Sequence, residues 1–203
     1  MDRQLHAQSD RAYDQKLAHI LASAARIFAQ EGYGGASIRK VAAHADVSLA
    51  GLYHYVRGKE ELLYLIQLHT FRSIVDNLTA GLTGLDDPTE RLRTAVRNHT
   101  EHFVAHMDEL RVCAVELDTL TGDYYEEVAE VRRDYFKIML GLVSDLRGTG
   151  GERAERTRLA TLAVFGTLNW LFQWYDAERD PDAQALADEF TDLFTQGFVP
   201  TAR

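Results

Sequence analysis

Apolar side chains recur at three- and four-residue steps along nearly the whole chain, the spacing of one face of an α-helix. No segment has the sustained two-residue alternation of a strand. The pattern predicts an all-α fold with about nine helices. They are expected at about 13–31, 38–45, 49–56, 59–82, 88–106, from Asp108 onward, and at about 124–147, 152–177 and 180–197.

Helix boundaries are marked by residues with known capping chemistry. Ser37 and Ser48 are typical N-caps, and the run Asp87-Pro88-Thr89-Glu90 combines an N-cap acid with Pro at the first helical position. Gly32 and the run Gly148-Thr149-Gly150-Gly151 are expected to end helices. All three prolines fall at predicted helix edges, so none interrupts a helix.

Composition and charge narrow the class of protein. The 203 residues contain a single cysteine, Cys113, and no apolar run long enough for a membrane span, so we expect a soluble cytoplasmic protein. The net charge of −9 is unevenly distributed: residues 1–60 carry +2 and the remainder −11. A polyanionic partner is therefore expected to bind the N-terminal end only.

Residues 37–55 have the layout of a DNA-reading helix-turn-helix. Small Ala42 allows the two helices to cross closely, and Asp46 tolerates the left-handed backbone that the turn requires. Val47 and Leu52 are expected to fill the space between the helices. A helix capped by Ser48 with small or polar residues could then enter the major groove of DNA.

The same stretch carries a family resemblance. The pattern Ala-x-x-Ala-Asp-Val-Ser-x-x-x-Leu-Tyr-x-Tyr-Val-x-x-Lys-Glu-Glu-Leu, from Ala42 to Leu62, resembles the signature of TetR-type transcriptional regulators. Asp46 stands where that signature commonly has a turn glycine. The resemblance implies a dimeric repressor that binds a palindromic operator on double-stranded DNA and releases it when a small effector binds its body. The DNA contacts it implies lie around the second and third helices and the start of the fourth: Ser37, Arg39, Lys40, Ser48, Leu49, Ala50, Gly51, Tyr53, His54, Tyr55 and Lys59.

Three segments follow from this interpretation. Residues 1–12 are expected to form a flexible tail, 13–58 the DNA-binding domain, and 59–203 the effector-binding and dimerisation domain. The last two helices are rich in large apolar residues, which predicts a homodimer interface formed with a second copy. Burial of these residues within one chain is the alternative.

The effector is indicated by a second resemblance. Residues 166–175, followed by Asp180-Pro181, are similar to TetR-type regulators of fatty-acid, sterol and aromatic-acid catabolism, which implies an acyl-CoA ligand. Such a ligand needs an apolar channel and cations for its phosphates. Channel candidates are Phe103, Leu110, Leu117, Tyr135, Phe165, Asn169 and Trp170, and candidate cations are Arg132, Arg133 and Lys137. The alternatives are that the aromatic residues form core and the cations a solvated helix face.

Other functions remain open at this point. A multidrug-type sensor controlling efflux would also have an aromatic pocket but would not need cations for phosphate. The spacing of His99, His102 and His106 on one helix face is compatible with a metal ion, although core or pocket histidines are the simpler interpretation. No motif for an enzyme or a cofactor is present, so we expect neither.

Overall fold

The computed structural model describes residues 2–147 and 151–197, with side chains described over 12–147 and 155–197. Its described residues contain only helices, turns and bends, which confirms the all-α fold class. These described residues form ten helices, where the sequence predicts about nine: α1 (Asp2–Gly35), α2 (Ile38–His44), α3 (Leu49–Leu52), α4 (Lys59–Gly81), α5 (Pro88–Ala105), α6 (Met107–Val115), α7 (Gly122–Arg147), α8 (Gly151–Asn169), α9 (Leu171–Trp174) and α10 (Ala183–Gln196).

The predicted capping residues begin the helices assigned to them. The Ser37 hydroxyl accepts from the Lys40 N–H at 3.3 Å, and the Ser48 hydroxyl accepts from the Gly51 N–H at 2.9 Å. The Asp87 carboxylate accepts from the Glu90 N–H at 2.9 Å. Gly32, at φ 72°, interrupts the helical backbone within α1, in keeping with the helix end predicted at this glycine.

Two predicted boundaries near the end of the chain are wrong. The single helix predicted at 152–177 is divided at Trp170, where a tight turn buries Leu171 and leaves Trp170 58% exposed. The last helix begins at Ala183 because Asp182, and not Asp180, is its N-cap. The Asp180 carboxylate instead accepts from the Asp176 N–H at 2.7 Å and closes the preceding turn.

Three further predicted helix boundaries can be compared with the structure, two in the N-terminal half and one in the glycine-rich run. The third helix ends at Leu52 and not near Val56, because the N–H groups of His54 and Tyr55 bond three residues back. α1 begins at Asp2, so residues assigned to a tail are helical in the structure. The helix stop predicted at 148–150 lies outside the described residues.

Two apolar clusters form the core, and α4 contributes to both. The first joins α1–α3 to Leu62, Leu63 and Ile66 of α4, and it also includes Val112 of α6. The second joins α5 and α7–α10 to the later residues of α4, Ile74 among them. One continuous helix therefore connects a small N-terminal head to a larger helical body. In the described part of the chain, no helix has the length and apolarity needed to cross a lipid bilayer.

Candidate DNA-binding surface and ligand cavity

The head presents a helix-turn-helix whose turn depends on Asp46. Asp46 has φ 50°, the left-handed backbone predicted for this position, and it leads the chain from α2 into α3. Ala42 is buried where α2 and α3 cross, and Leu52 is fully buried on the inner side of α3. This packing leaves the opposite side of α3 in solvent, where it can enter a groove of DNA.

Most of the residues predicted to contact DNA are accessible on the surface of the head. Ser37, Arg39, Ser48, Ala50 and His54 are exposed, and Tyr53 is 49% exposed. The partly buried members are Leu49, Gly51 and Tyr55. The Tyr55 ring stacks on Tyr13 of α1 with ring centroids 4.8 Å apart, so Tyr55 is held in place by the first helix.

The two lysines of the predicted set have partners within the head. Lys40 forms an ion pair with Glu31 at 2.7 Å. The Lys59 ammonium donates to the carbonyls of Tyr33 (2.8 Å) and Ala36 (3.1 Å) and lies 4.3 Å from the Tyr33 ring centroid. Lys59 therefore joins the start of α4 to the end of α1 through these hydrogen bonds. Arg39 has no ion-pair partner among the described residues, which leaves its guanidinium available to a base edge or a phosphate.

The body contains a partly open cavity of about 410 Å³, lined by residues of α4, α5, α6, α7 and α8. Eight of the ten residues predicted to bind an effector line it: Phe103, Leu110, Leu117, Arg132, Tyr135, Phe165, Asn169 and Trp170. The remaining lining residues are ones that the sequence analysis missed: Phe71, Cys113, Ala114, Phe136, Leu162 and Gly166. Six of the fourteen lining residues are aromatic and four more are leucine or alanine, which suits an apolar ligand.

The other two predicted effector residues lie elsewhere. Arg133 and Lys137 are exposed on the outer side of α7 and do not line the cavity. Lys137 forms an ion pair with Asp134 at 2.8 Å. Their assignment to the pocket rim therefore has no support from the structure, because they lie on a different side of α7 from Arg132.

Arg132 is the only charged side chain among the described residues that line the cavity. Burial lowers the pKa of its guanidinium. Cys113, on the same wall, is fully buried, and burial raises the pKa of its thiol to about 12, so it is an uncharged apolar contact.

The histidines behave as core and surface residues. His99 is buried, and its Nδ1 lies 2.9 Å from the Tyr135 hydroxyl. His102 and His106 stack on each other with ring centroids 4.8 Å apart. Over the residues whose side chains are described, no group of three or more His, Cys, Asp or Glu is placed to hold a metal ion. The metal-site alternative therefore loses its support.

Buried His99 leads to a prediction about stability. Burial, together with the nearby His102, lowers the pKa of His99 from 6.5 to about 3. Because the unfolded chain binds this proton more strongly, the free energy of unfolding should fall progressively as the pH drops from about 6.5 towards 3. His99→Gln, which keeps a hydrogen-bonding group for Tyr135, should flatten this slope in denaturant titrations. His44→Gln, at an exposed histidine, is the control, and an unchanged slope in His99→Gln would contradict the assignment.

α6 connects the cavity to the head. On one side of this helix Leu110, Cys113 and Ala114 line the cavity, while Val112 on the other side packs in the head cluster. At its C-terminal end, Glu116 accepts from the backbone N–H of Tyr33 at 2.9 Å. A displacement of α6 by a bound ligand would therefore reach the end of α1, where Lys59 and α4 are also attached.

A helix-turn-helix on a helical body with an apolar cavity defines a ligand-responsive DNA-binding protein. Comparison with known families agrees with this class. Residues 20–64 match the family model for bacterial regulatory proteins of the tetR family, and residues 85–198 match the model for the tetracyclin repressor-like C-terminal domain. The chain therefore belongs to the TetR family of transcriptional regulators, which are DNA-binding proteins and not enzymes.

Individual relatives resemble the chain over nearly its full length. The fatty acid metabolism regulator protein of Bacillus subtilis is 21% identical over 90% of this chain and 95% of its own. A TetR-family regulator from Bordetella parapertussis has a TM-score of 0.84 at 26% identity, covering 92% of this chain and 98% of its own. AibR, solved in complex with isovaleryl coenzyme A and operator DNA, has a TM-score of 0.73 at 22% identity, covering 89% and 98%.

Proposed function

We propose that this regulator is a repressor released from its operator by an acyl-CoA thioester. The observation that carries the proposal is the cavity itself, an aromatic and aliphatic chamber with one cation, Arg132, in its wall. An acyl chain would occupy the apolar part, and Arg132 would attract the anionic part of the ligand. The fatty-acid regulator of Bacillus subtilis and the isovaleryl coenzyme A complex of AibR support this ligand class.

Operator recognition is assigned to the exposed side of the head. Arg39 would form bidentate hydrogen bonds to a guanine, and residues 48–55 would lie in the major groove, with the N-terminus of α3 near phosphate. Lys40 and Lys59 would add positive potential near the DNA backbone while keeping their contacts within the head. The DNA-binding domain is accordingly proposed to span residues 13–58 and the effector and dimerisation domain residues 59–203, in a cytoplasmic protein.

The proposed homodimer uses an exposed apolar stripe on α8. Leu159, Leu162 and Gly166 of α8 and Trp170 just after it follow at steps of three, four and four residues, and all are exposed, Leu159 by 56%. The last three also line the open side of the cavity. A side chain at Gly166 would meet nothing within 4 Å, so a second helix can approach closely there. Such a stripe is typical of a helix-to-helix interface between two copies. A symmetric dimer would present two α3 helices to the half-sites of a palindrome.

α10 is held mainly within its own chain, so it contributes less to the proposed interface than α8. Leu186 and Phe190 of this helix are buried against the body of the same chain. These two residues are therefore core residues and are not available to a partner. Arg93 of α5 pairs with Asp188 (3.1 Å) and Asp192 (3.3 Å) of α10, which fixes the helix beside α5. We therefore propose that α10 contacts the partner only through the side that does not pack on its own chain, and that α8 supplies most of the contact.

A multidrug-type sensor is the second candidate, and the aromatic walls favour it. Phe71, Phe136 and Trp170 would suit a flat hydrophobic cation. Arg132 opposes it, because its positive charge in the same wall would repel a cationic ligand. The two candidates therefore differ in the charge of the ligand they select.

Ligand-induced thermal stabilisation tests the proposal. At about 100 times the dissociation constant, a ligand should raise the free energy of unfolding by about 2.7 kcal/mol, and so raise the melting temperature by about 5–10 °C for a chain of this size. Butyryl-, decanoyl- and palmitoyl-CoA would be compared with free CoA, with decanoate and with the cation ethidium. Stabilisation by at least one acyl-CoA but not by free CoA is the expected result. Stabilisation by ethidium alone would reject the acyl-CoA ligand and favour the multidrug sensor.

A further inference from the structure

Arg132 has an unusual environment for an arginine. A guanidinium carries five N–H donors, and burying it without partners is costly. Arg132 is partly buried in the cavity wall, yet no hydrogen bond or ion pair joins it to any residue that the structure describes. The ring of Phe71 lies against it, with its centroid 5.5 Å from the Arg132 Cζ. The Asp118 carboxylate is near enough to interact with the guanidinium electrostatically but forms no ion pair with it. The chain therefore holds a cation in an apolar wall with no carboxylate bonded to it among the described residues.

Phe71 belongs to α4, the helix that continues into the head. Its ring contributes to both apolar clusters, so it lies where head and body meet. The contact between Arg132 and Phe71 is thus a contact between α7 and α4. One turn nearer the head, Glu127 of α7 accepts hydrogen bonds from the Tyr64 hydroxyl (2.5 Å) and Arg72 (2.6 Å) of α4.

A ligand in the cavity would affect the Arg132–Phe71 contact and the Glu127 contacts differently. The Glu127 contacts lie outside the cavity and are satisfied by charge and hydrogen bonding within the protein. The Arg132 contact faces the cavity, and a ring is a weaker partner for a guanidinium than a carboxylate or a phosphate. An oxoanion in the cavity would therefore compete for Arg132 and leave the Glu127 contacts in place.

We propose that Arg132 binds the oxoanion of the effector, and that its transfer from the Phe71 ring to that oxoanion loosens α4 from α7 beside the cavity. This inference rests on the proposed function only in requiring that the cavity holds the effector. The ligand class it defines is an apolar body with one oxoanion near it, and both a CoA phosphate and the carboxylate of a free acid have that chemistry.

Binding measurements on Arg132 variants test the first half. By isothermal titration calorimetry, Arg132→Gln should lower the affinity for an oxoanionic ligand by about 10- to 150-fold, the range for a hydrogen bond to a charged group. Its affinity for decanol, which has no anion, should be unchanged. Arg132→Lys keeps the charge but not the planar fork, so it should restore part of the affinity. Wild-type affinity in a folded Arg132→Gln variant would overturn the anion-binding role.

A change in Phe71 tests the second half. Phe71→Leu removes the ring and keeps Arg132. With each variant saturated by ligand, so that a change in ligand affinity does not enter, the ligand-induced loss of operator affinity should shrink by about 2- to 30-fold. Phe136→Leu is the matched control, since Phe136 lines the same cavity and makes no ring contact with Arg132. Wild-type coupling in Phe71→Leu would overturn the transfer mechanism.

The ligand panel separates this inference from the acyl-CoA proposal. If decanoate and not decanoyl-CoA binds, and Arg132→Gln abolishes that binding, the acyl-CoA ligand is rejected and the role of Arg132 is supported. If decanol binds the wild-type protein as tightly as decanoate and decanoyl-CoA do, the oxoanion has no role and the inference is rejected.

Discussion

Leu159→Glu is expected to produce a monomer that binds operator DNA about two to four orders of magnitude more weakly than the dimer. Leu159 is 56% exposed on α8 and does not line the cavity, so a charge there should spare both folding and the ligand site. Within an interface, two symmetry-related glutamates would be desolvated close to each other, which strongly disfavours association. The loss in DNA affinity follows because two linked heads bind two half-sites with a large effective concentration.

The oligomeric state would be measured by sedimentation equilibrium, and operator affinity by fluorescence anisotropy on fragments selected from genomic DNA. Val115→Glu is the matched control: Val115 is 60% exposed on α6 and is not one of the stripe residues. It should remain dimeric and bind DNA as the wild type does. A dimeric Leu159→Glu variant with unchanged operator affinity would show that the α8 stripe is not the interface.

Glu116→Ala is expected to disconnect effector binding from DNA release. In allosteric coupling of ordinary strength, an effector lowers the affinity for the other ligand, here the operator, by about 5- to 150-fold. Glu116 links the end of α6 to the head through the Tyr33 N–H at 2.9 Å, and its second oxygen accepts from the Thr119 hydroxyl at 2.9 Å. Without the carboxylate, α6 keeps only its packing on the head through residues such as Val112, so a shift of α6 would be transmitted less well to the end of α1 and much of that loss of operator affinity should disappear.

Two controls accompany this variant. Glu116→Gln keeps an acceptor oxygen for the Tyr33 N–H and should keep most of the coupling. Glu126→Ala removes an exposed carboxylate from α7 and should change nothing. Ligand affinity, measured by calorimetry, should be the same in all three variants because Glu116 does not line the cavity. Full coupling in Glu116→Ala would show that the signal takes another route.

Local chemistry explains which parts of the fold could be predicted from the sequence. Ser37, Ser48 and Asp87 cap their helices through bonds to N–H groups three residues away, so each prediction needed only a few neighbouring residues. The break at Trp170 has no such local signal, because neither Pro nor Gly stands at that position. It follows from burying Leu171 in the body, which is a tertiary requirement.

Helical phase explains most of the successes and errors in the cavity. Arg132, Tyr135 and Phe136 are three and four residues apart and share the inner side of α7, whereas the Arg133 and Lys137 pair lies on the next side. The same rule could have found Cys113 and Ala114, which stand three and four residues after Leu110. It could not have found Phe71, because no local pattern brings α4 to this wall.

Operator affinity measured with and without decanoyl-CoA on the wild-type protein is the decisive measurement. Fluorescence anisotropy on a selected operator fragment would be combined with a thermal-shift check that the ligand is bound. The proposed repressor should bind tightly without ligand and lose affinity by about 5- to 150-fold when decanoyl-CoA occupies the cavity. An operator affinity that stays unchanged or rises while decanoyl-CoA is bound would contradict a repressor released by an acyl-CoA.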